Sequence, residues 1–398
     1  MNEKTCDVTI VGAGLTGLLT AFVLSRTNLD IALIDKSDFT SSRSLSTDFR
    51  TTAIAEGSKI FFEEIGLWDK IGFYTEPIKK IKVFDRKNTN KIKFVNSDED
   101  SCLGYNIENK ILKKILINEI SSNSKIKLFK KSEIKNVEMF HSQAICYLNK
   151  WYIKSKLIIA ADGKNSLIRK IIKKKIFSKN YNHKALVINL NHKKNHNNIA
   201  YELFFNSGPL AILPMRKSVS KKFSSSIIWS HRKDYINHLE KVKDDYLINI
   251  LNLKTNEYIG EISNIVNKKS FSLSAHINST YYDKRLVYVG DSAHSVHPIA
   301  GQGWNIGVRD IKNLFNSIDN GIDLGLDIGS KHICKDYHKR SFYDAFLLYQ
   351  VTDKLNTIFL SDNFFLSKIR NIGFDFIDNK TNINNFISSF AMGKNRIF

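Results

Sequence analysis

Cysteine is scarce in this chain. Its 398 residues contain four (Cys6, Cys102, Cys146 and Cys334), all far apart. There is no CxxC pair, which excludes a disulfide framework and points to a reducing compartment. The N-terminus lacks the basic segment and cleavage site of a secretion signal. No apolar run is long enough to span a bilayer, because the stretch from Val8 to Leu24 is interrupted by Gly12, Gly14 and Gly17. No internal repeat and no Ser-His-Asp arrangement is visible. His192 and His196 have a metal-like i, i+4 spacing, but their lysine- and asparagine-rich surroundings offer no third ligand, so no metal is expected. Acidic residues are also few: 39 against 60 Lys and Arg, a net charge of +21. None falls between Gly163 and Tyr201, where Lys164, Arg169, Lys170, Lys173, Lys174, Lys175, Lys179, Lys184, Lys193 and Lys194 gather. Such an excess suits a nucleic acid or an anionic membrane. The lysines are spread widely with few aromatics among them, which fits a general bias toward Lys, Ile and Asn and argues against nucleic acid. The acid-free stretch remains either a solvated face or a surface for acidic lipid or a partner.

What is present is a folded α/β pattern. A hydrophobic fraction of 42% supports a sizeable core. Cys6 to Val11 reads as a buried strand. Gly12-Ala13-Gly14-Leu15-Thr16-Gly17 follows, then a helical pattern to Leu24 and a second strand, Ile31 to Ile34, ending at Asp35. A lone GxGxxG is weak evidence, but this one has its strand, its helix and an acid 23 residues past Gly12. Gly12 allows the tight turn, Gly14 lets the backbone approach a pyrophosphate, and Gly17 lets helix pack on strand. Asp35 would accept ribose hydroxyls.

Ser46 to Trp68 reads as an amphipathic helix (Ala53, Ile54, Ile60, Phe61, Ile65), with Arg50 just before it to reach phosphate or flavin. Pro77 to Phe94 reads as a hairpin turning at Lys87 to Asn90, and Asn106 to Ile120 as a helix. Four short strands lead to Leu157-Ile158-Ile159-Ala160-Ala161-Asp162-Gly163. Residues 183 to 275 read mostly as alternating strands, and the chain becomes helical again from Gly321, with Tyr343 to Leu360 and Phe364 to Ile377 apolar. The stretch LVYVGDSAHSVHPIAGQGWNIGVRD, Leu286 to Asp310, repeats the logic of strand, glycine loop and helix, the helix beginning near Trp304. Three strand ends thus carry ligand-type residues: Gly12 to Gly17, Asp162-Gly163 and Gly290-Asp291. One adenine dinucleotide needs only the first, so an extended cofactor, FAD, is expected, with Asp291 on its ribityl chain and the last helix aimed at the flavin.

These stretches resemble a known family. GAGLTG, IIAADGKNSLIR and GDSAHSVHPIAGQGWNIGVRD resemble the three FAD motifs of the class A flavoprotein monooxygenases. DFRTTAIAEGSKIFFEEIGLW, LGYNIENKILKKIL, GPLAILPM and the tail from Arg370 to Gly393 are similar to the ubiquinone-biosynthesis hydroxylases (the UbiH/UbiF/VisC type), with HPIAGQGWNIGVRD nearest the UbiH branch. The resemblance implies a Rossmann-like, p-hydroxybenzoate-hydroxylase-like FAD-binding domain (1–75, 101–180 and 276–330), a β-rich substrate domain (76–100 and 181–275) and a C-terminal helical region (331–398). It implies that Gly12, Gly14, Gly17, Asp35, Arg50, Asn109, Asp162, Gly163, Asp291, Pro298, Gly301, Gln302, Gly303 and Asn305 meet FAD, and that His297 and the Pro298 carbonyl touch the reacting groups. The implied reaction hydroxylates a polyprenylated phenol with NAD(P)H and O2 through a C4a-hydroperoxyflavin. A cytoplasmic protein follows, peripheral on the inner membrane and in contact with other quinone-biosynthesis proteins. A soluble aromatic-acid hydroxylase and a non-catalytic flavin-binding scaffold are the alternatives left open.

Overall fold

The computed structural model describes residues 2–85, 91–95, 102–217, 223–297 and 301–360. The chain opens with β1 (Val8–Val11), α1 (Leu15–Leu24) and β2 (Ile31–Ile34). Then come β3 (Thr51–Ala55), α2 (Glu56–Glu64), β4 (Gly104–Glu108) and α3 (Asn109–Ser121). After β5 (Leu157–Ala160), four long strands follow: β6 (Ile176–His192), β7 (Ile199–Phe205), β8 (Gly208–Met215) and β9 (Phe223–Arg232). Two helices, α4 (Lys233–Lys241) and α5 (Asp244–Ile259), precede β10 (Ile262–Asn278), β11 (Leu286–Tyr288), α6 (Gln302–Asp323) and α7 (Lys331–Leu360).

The first core is a six-stranded sheet. Its order runs from strand 282–283 through β11, β5, β1 and β2 to strand 126–129. Every residue of β1, β2, β5 and β11 is buried, and a short, mainly apolar strand is what a parallel sheet covered on both faces requires; Thr9 of β1 is the polar exception. Ala160 stands in register with both Val11 and Tyr288, so three strands end on one rung. From β1 the chain adds β2 on one side and later β5 on the other. That reversal of direction is where open parallel sheets bind ligands.

The second core lies on an eight-stranded sheet in the order 294–295, β10, β6, β9, β8, β7, 80–85, 91–95. Its outer face carries Leu186, Ile188, Tyr201, Leu203, Leu210, Ile212, Ile227 and Trp229 against Ile236, Leu239, Leu247 and Leu251 of α4 and α5. Fully burying such a side chain contributes about 1.5–3 kcal/mol. Smaller sheets are formed by β3, β4 and strand 76–78, and by strands 2–5, 151–155, 144–147 and 136–139.

Three readings of local pattern are corrected. The helix expected over Ser46–Trp68 is a strand followed by a helix, because Thr51–Ala55 pairs antiparallel with Gly104–Glu108. For the same reason the helix expected from Asn106 starts at Asn109. The segment 183–275 holds two helices as well as strands, and they cover the outer face of the large sheet. The turn at Lys87–Asn90, Pro298, the apolar segment Phe364–Ile377 and the tail Arg370–Gly393 lie outside the described residues. The basic stretch is partly spent on ion pairs within the protein: Lys174 pairs with Asp283, and at the surface Lys179 pairs with Asp353 and Lys193 with Glu261, while Arg169 is buried. Among the described residues, no helix is long and apolar enough to cross a membrane.

Candidate functional site

The three strand-end turns touch one another through their glycines. Gly12 has φ +103°, and a Cβ there would fall 2.5 Å from the Ala161 carbonyl oxygen. Gly17 is tighter still: its Cβ would meet the Gly12 carbonyl at 1.8 Å, so only glycine lets α1 sit on the loop. A Cβ on Gly290 (φ +60°) would strike the Thr16 side chain. The first, second and third motifs are therefore in direct contact. Gly14 differs from these, since a Cβ there would meet nothing within 4 Å. It caps α1 with extended backbone and no side-chain hydrogen bond, which leaves the first N–H groups of the helix open to an anion.

Charged groups surround this edge. The Ala13 N–H donates to Asp35 Oδ2 (2.7 Å), while Asp35 Oδ1 accepts from the Ser37 N–H and hydroxyl. Arg50 forks onto Asp48 through Nε and Nη2 (2.8 and 2.9 Å), and Lys113 adds a third bond at 2.7 Å. Burial alone would raise the Asp48 carboxyl. The bonds and charges of Arg50 and Lys113 overcome that and hold it well below the usual carboxylate range. Asp291 is exposed by accessible area, yet burial among surrounding protein raises its carboxyl, against the opposing charges of His294, Lys164 and Arg50. A group that solvent reaches although protein surrounds it lies in a recess of the surface. Arg50 is also exposed, and it feels the charge of Asp291. Asp162 lies on the same edge. Its Oδ2 accepts from the Ile168 N–H at 3.1 Å, and its buried Oδ1 has no partner.

A buried network fixes the turn that carries Asp291. Asp310 on α6 is 1% exposed, and its Oδ2 accepts from the Gly290 N–H (3.0 Å) and meets His294 Nε2 (2.6 Å). Arg169 Nη1 donates to the Ser292 carbonyl (3.0 Å) and contacts His276 Nε2 (2.8 Å). Helix α6 starts at Gly301, in the left-handed region (φ +62°), again without a side-chain cap. Gly303 packs near Val296, and Gln302 is half-buried beside it.

Two of the expected cofactor residues hold protein instead of projecting into the recess. The Asn109 Oδ1 accepts the Thr52 hydroxyl (2.6 Å), and its N–H donates to the Arg50 carbonyl (2.9 Å). The Asn305 amide accepts from the Ala55 N–H and Ser58 hydroxyl and donates to the Ala53 and Gly301 carbonyls. Gly163 turns with φ +80° beside Asp162. His297 is 1% exposed, neither ring nitrogen has a partner among the described residues, and its ring meets Tyr181 edge-on at 4.8 Å. Burial, then the charge of His183, lowers it to about 4. Tyr181 in turn donates to Asp353 of α7 (2.9 Å). His192 and His196 spend their nitrogens on Ser225, Lys194, Met215 and Asn198. Sequence reasoning missed Asp310, His276 and Tyr181. Asp310 alone left a signal, an acid on the apolar stripe of a long helix.

This edge suits FAD. It has two helix N-termini without side-chain caps, a glycine loop open at Gly14, an Asp162 oxygen with no partner among the described residues, and the exposed carboxylate of Asp291. The family described as FAD binding domain matches residues 5–322, and the chain belongs to that family. It is similar to a ubiquinone hydroxylase, UbiL, of Rhodospirillum rubrum, 27% identical over 392 residues, covering 98% of this chain and 90% of that one. It is likewise 27% identical, over 460 residues, to the mitochondrial ubiquinone biosynthesis monooxygenase COQ6 of Dictyostelium discoideum (98% and 92% covered). The structure of p-nitrophenol 4-monooxygenase PnpA from Pseudomonas putida superposes with a TM-score of 0.79 over all of both chains at 14% identity, a likeness of fold.

Proposed function

We propose that this FAD-dependent monooxygenase hydroxylates the aromatic ring of a polyprenylated phenol in ubiquinone biosynthesis, with NAD(P)H and O2 as co-substrates. The observation that carries the reading is the meeting of three glycine turns on one rung of the parallel sheet, beside a second sheet whose facing surface carries Val187, Ile228 and Ala211 among polar residues such as Asn189 and Ser226. When bound, FAD supplies the redox chemistry and delivers activated oxygen. Gly12, Gly14 and Gly17 and the α1 N-terminus would take its pyrophosphate, Asp35 the adenosine ribose, Arg50 a phosphate and Asp291 the ribityl chain. Gly163, Gly301, Gln302, Gly303 and the α6 N-terminus would border the flavin end, where the helix dipole favours negative charge. Asn109 and Asn305 hold the walls of that site. His297, kept neutral by burial, offers a free ring nitrogen to the phenol hydroxyl. Val187, Ile228 and Ala211 on the sheet would help keep water from the reacting atoms.

Localisation belongs to the same proposal. A lipid-soluble substrate calls for peripheral contact with an anionic inner-membrane surface on the cytoplasmic side, and the acid-free stretch 163–201, with Phe177 54% exposed, is the face for it. Partners would be other proteins of quinone biosynthesis.

The test is purification, FAD reconstitution and assay with short-chain prenylphenols. Substrate-stimulated NAD(P)H oxidation with a hydroxylated product is expected, and the product's mass spectrum reads the ring position. A colourless protein that takes up no FAD, or stimulation by small hydroxybenzoates alone, overturns the reading. Flotation with anionic liposomes at low salt tests the membrane contact, which a fully soluble protein would refute.

A further inference from the structure

This inference rests on the functional reading above and concerns how the substrate ring is held. Strand β7 runs inside the large sheet, between β8 and strand 80–85. Alternation divides its side chains. Tyr201 and Leu203 pack outward with Leu247, Leu251 and Tyr258. Ala200, Glu202 and Phe204 therefore point to the opposite face. That face is turned toward the FAD-binding half: Asn189 Nδ2 donates to the Phe49 carbonyl (2.6 Å), and the Arg50 guanidinium lies 5.2 Å over the Phe271 ring.

The pairing register gives the row in which Glu202 stands. Val187 pairs with Ile228, Ile228 with Ala211, Ala211 with Glu202, and Glu202 with Val83. Beyond Val187 the row continues to Lys269 of β10, so Glu202 and Lys269 stand in one row with the apolar Val187, Ile228 and Ala211 between them, and the smallest of these, Ala211, is beside Glu202. No hydrogen bond or ion pair joins Glu202 to any described residue, and Asp85, an acid on the same face, stands one row away beside Phe204. Burial alone raises the Glu202 carboxyl to about 8, so it keeps its proton at neutral pH. An aliphatic side chain would suit the fold better here. Glu202 is half-buried, so a ligand entering on this face can reach its carboxyl.

We propose that Glu202 is a substrate-binding residue whose carboxyl donates a hydrogen bond to an oxygen substituent of the substrate ring. The bond fixes which ring edge faces the flavin, while Val187, Ile228 and Ala211 pack on the ring face.

The experiment compares FAD-loaded wild type, Glu202→Gln and Glu202→Leu. It measures KM for a short-chain prenylphenol, the fraction of NAD(P)H oxidation coupled to hydroxylated product, flavin content and Tm. Glutamine still donates from its amide, so Glu202→Gln should stay within about threefold of wild type, whereas loss of the bond in Glu202→Leu should raise KM about tenfold and divert turnover to hydrogen peroxide. Flavin content should hold in both variants, and the Tm of Glu202→Leu should stay level or rise. Wild-type KM and coupling in Glu202→Leu overturn the inference. So does a Glu202→Gln as impaired as Glu202→Leu, or a fall in Tm and flavin content in both. A wild type that binds FAD but neither binds nor hydroxylates any prenylphenol overturns the functional reading, and this inference with it.

Discussion

Gly14 and Gly17 stand three residues apart in one motif, and the structure assigns them opposite liabilities. A methyl at Gly17 would lie 1.8 Å from the Gly12 carbonyl oxygen, a backbone atom that cannot swing aside. To restore ordinary contact α1 must retreat by roughly 1.5 Å, although eight of its residues are buried. Overpacking of this kind costs about 1–3 kcal/mol, and a backbone clash belongs at the upper end. With an unfolding entropy of about 2.1 cal/mol/K per residue, a loss of about 3 kcal/mol lowers the Tm of this chain by about 4 °C. A methyl at Gly14 meets nothing, and φ −70°, ψ 180° suits alanine. The gain from a stiffer unfolded chain, about 0.4–1 kcal/mol, roughly offsets the loss of a glycine N-cap. Gly14→Ala should therefore melt within about 1 °C of wild type when stripped of flavin. Its methyl projects toward the side from which the pyrophosphate approaches, so FAD affinity should fall about a hundredfold, roughly 2.7 kcal/mol. Calorimetric melts of the flavin-free proteins and FAD titration by fluorescence quenching read both quantities. A Gly14→Ala protein binding FAD within threefold of wild type would refute the argument, as would a Gly17→Ala protein of undiminished Tm.

Asp310→Ala removes the acceptor of the Gly290 N–H and the partner of His294, and each orphaned buried group costs about 1–3 kcal/mol. A clear drop in Tm and weaker FAD binding are expected together, with part of both restored in Asp310→Asn, whose amide oxygen still accepts from Gly290; an unchanged melt contradicts this. The buried histidines predict acid lability. Burial, then Arg169, lowers His276 to about 3, and burial, then His183, lowers His297 to about 4, against an ordinary 6.5. Between those values the unfolded chain binds more protons, so this stability is full above about pH 6.5 and falls as the pH drops toward 4. From pH 7 to 5.5 these two together cost about 2–3 kcal/mol, and His297→Gln should shrink the wild-type loss of urea unfolding free energy over that range by about 1 kcal/mol, the other lowered histidines, His231 and His338 among them, keeping their share. A His297→Gln difference equal to the wild type's would count against it.

The parts legible in the sequence were those set by short-range constraints. A buried parallel strand must be mainly apolar, and a loop that passes under a helix must be glycine, so β1, α1, β2 and all three turns could be read from residue types alone. Ser46–Trp68 could not. Ala53, Ile54, Ile60, Phe61 and Ile65 satisfy helical spacing, but Thr51–Ala55 is claimed by a partner strand some fifty residues later, and such pairing leaves no local trace. In 233–259 a signal existed, since Ile236 and Leu239, then Leu247 and Leu251, recur at helical intervals. The roles of Asp310, His276 and Glu202 depend on which groups face them across the fold, and nothing in their neighbouring sequence carries that. Asn109 and Asn305 were placed near the site by the sequence, and the structure shows the Asn109 amide oxygen accepting from the Thr52 hydroxyl and the Asn305 amide bonded to the Ala55 N–H, the Ser58 hydroxyl and the Ala53 carbonyl.

Some of the unsatisfied polar groups of this protein lie where a cofactor would sit. Among the described residues Asp162 Oδ1 and both His297 nitrogens lack partners, and the α1 and α6 N-termini lack side-chain caps. Others, such as Ser155, Trp229 and Tyr281, are unsatisfied in the protein interior. Leaving a polar group dry and unpaired is unfavourable, so a cofactor that meets Asp162 and the two helix N-termini should stabilise the fold. Stability should then be linked to flavin. At a free FAD concentration a hundred times Kd, binding adds about 2.7 kcal/mol, which raises the Tm by about 3 °C. At the same FAD concentration Gly14→Ala should lose nearly all of that increment while keeping the flavin-free Tm. If the variant retains it, the cofactor is held somewhere other than the open side of the glycine loop.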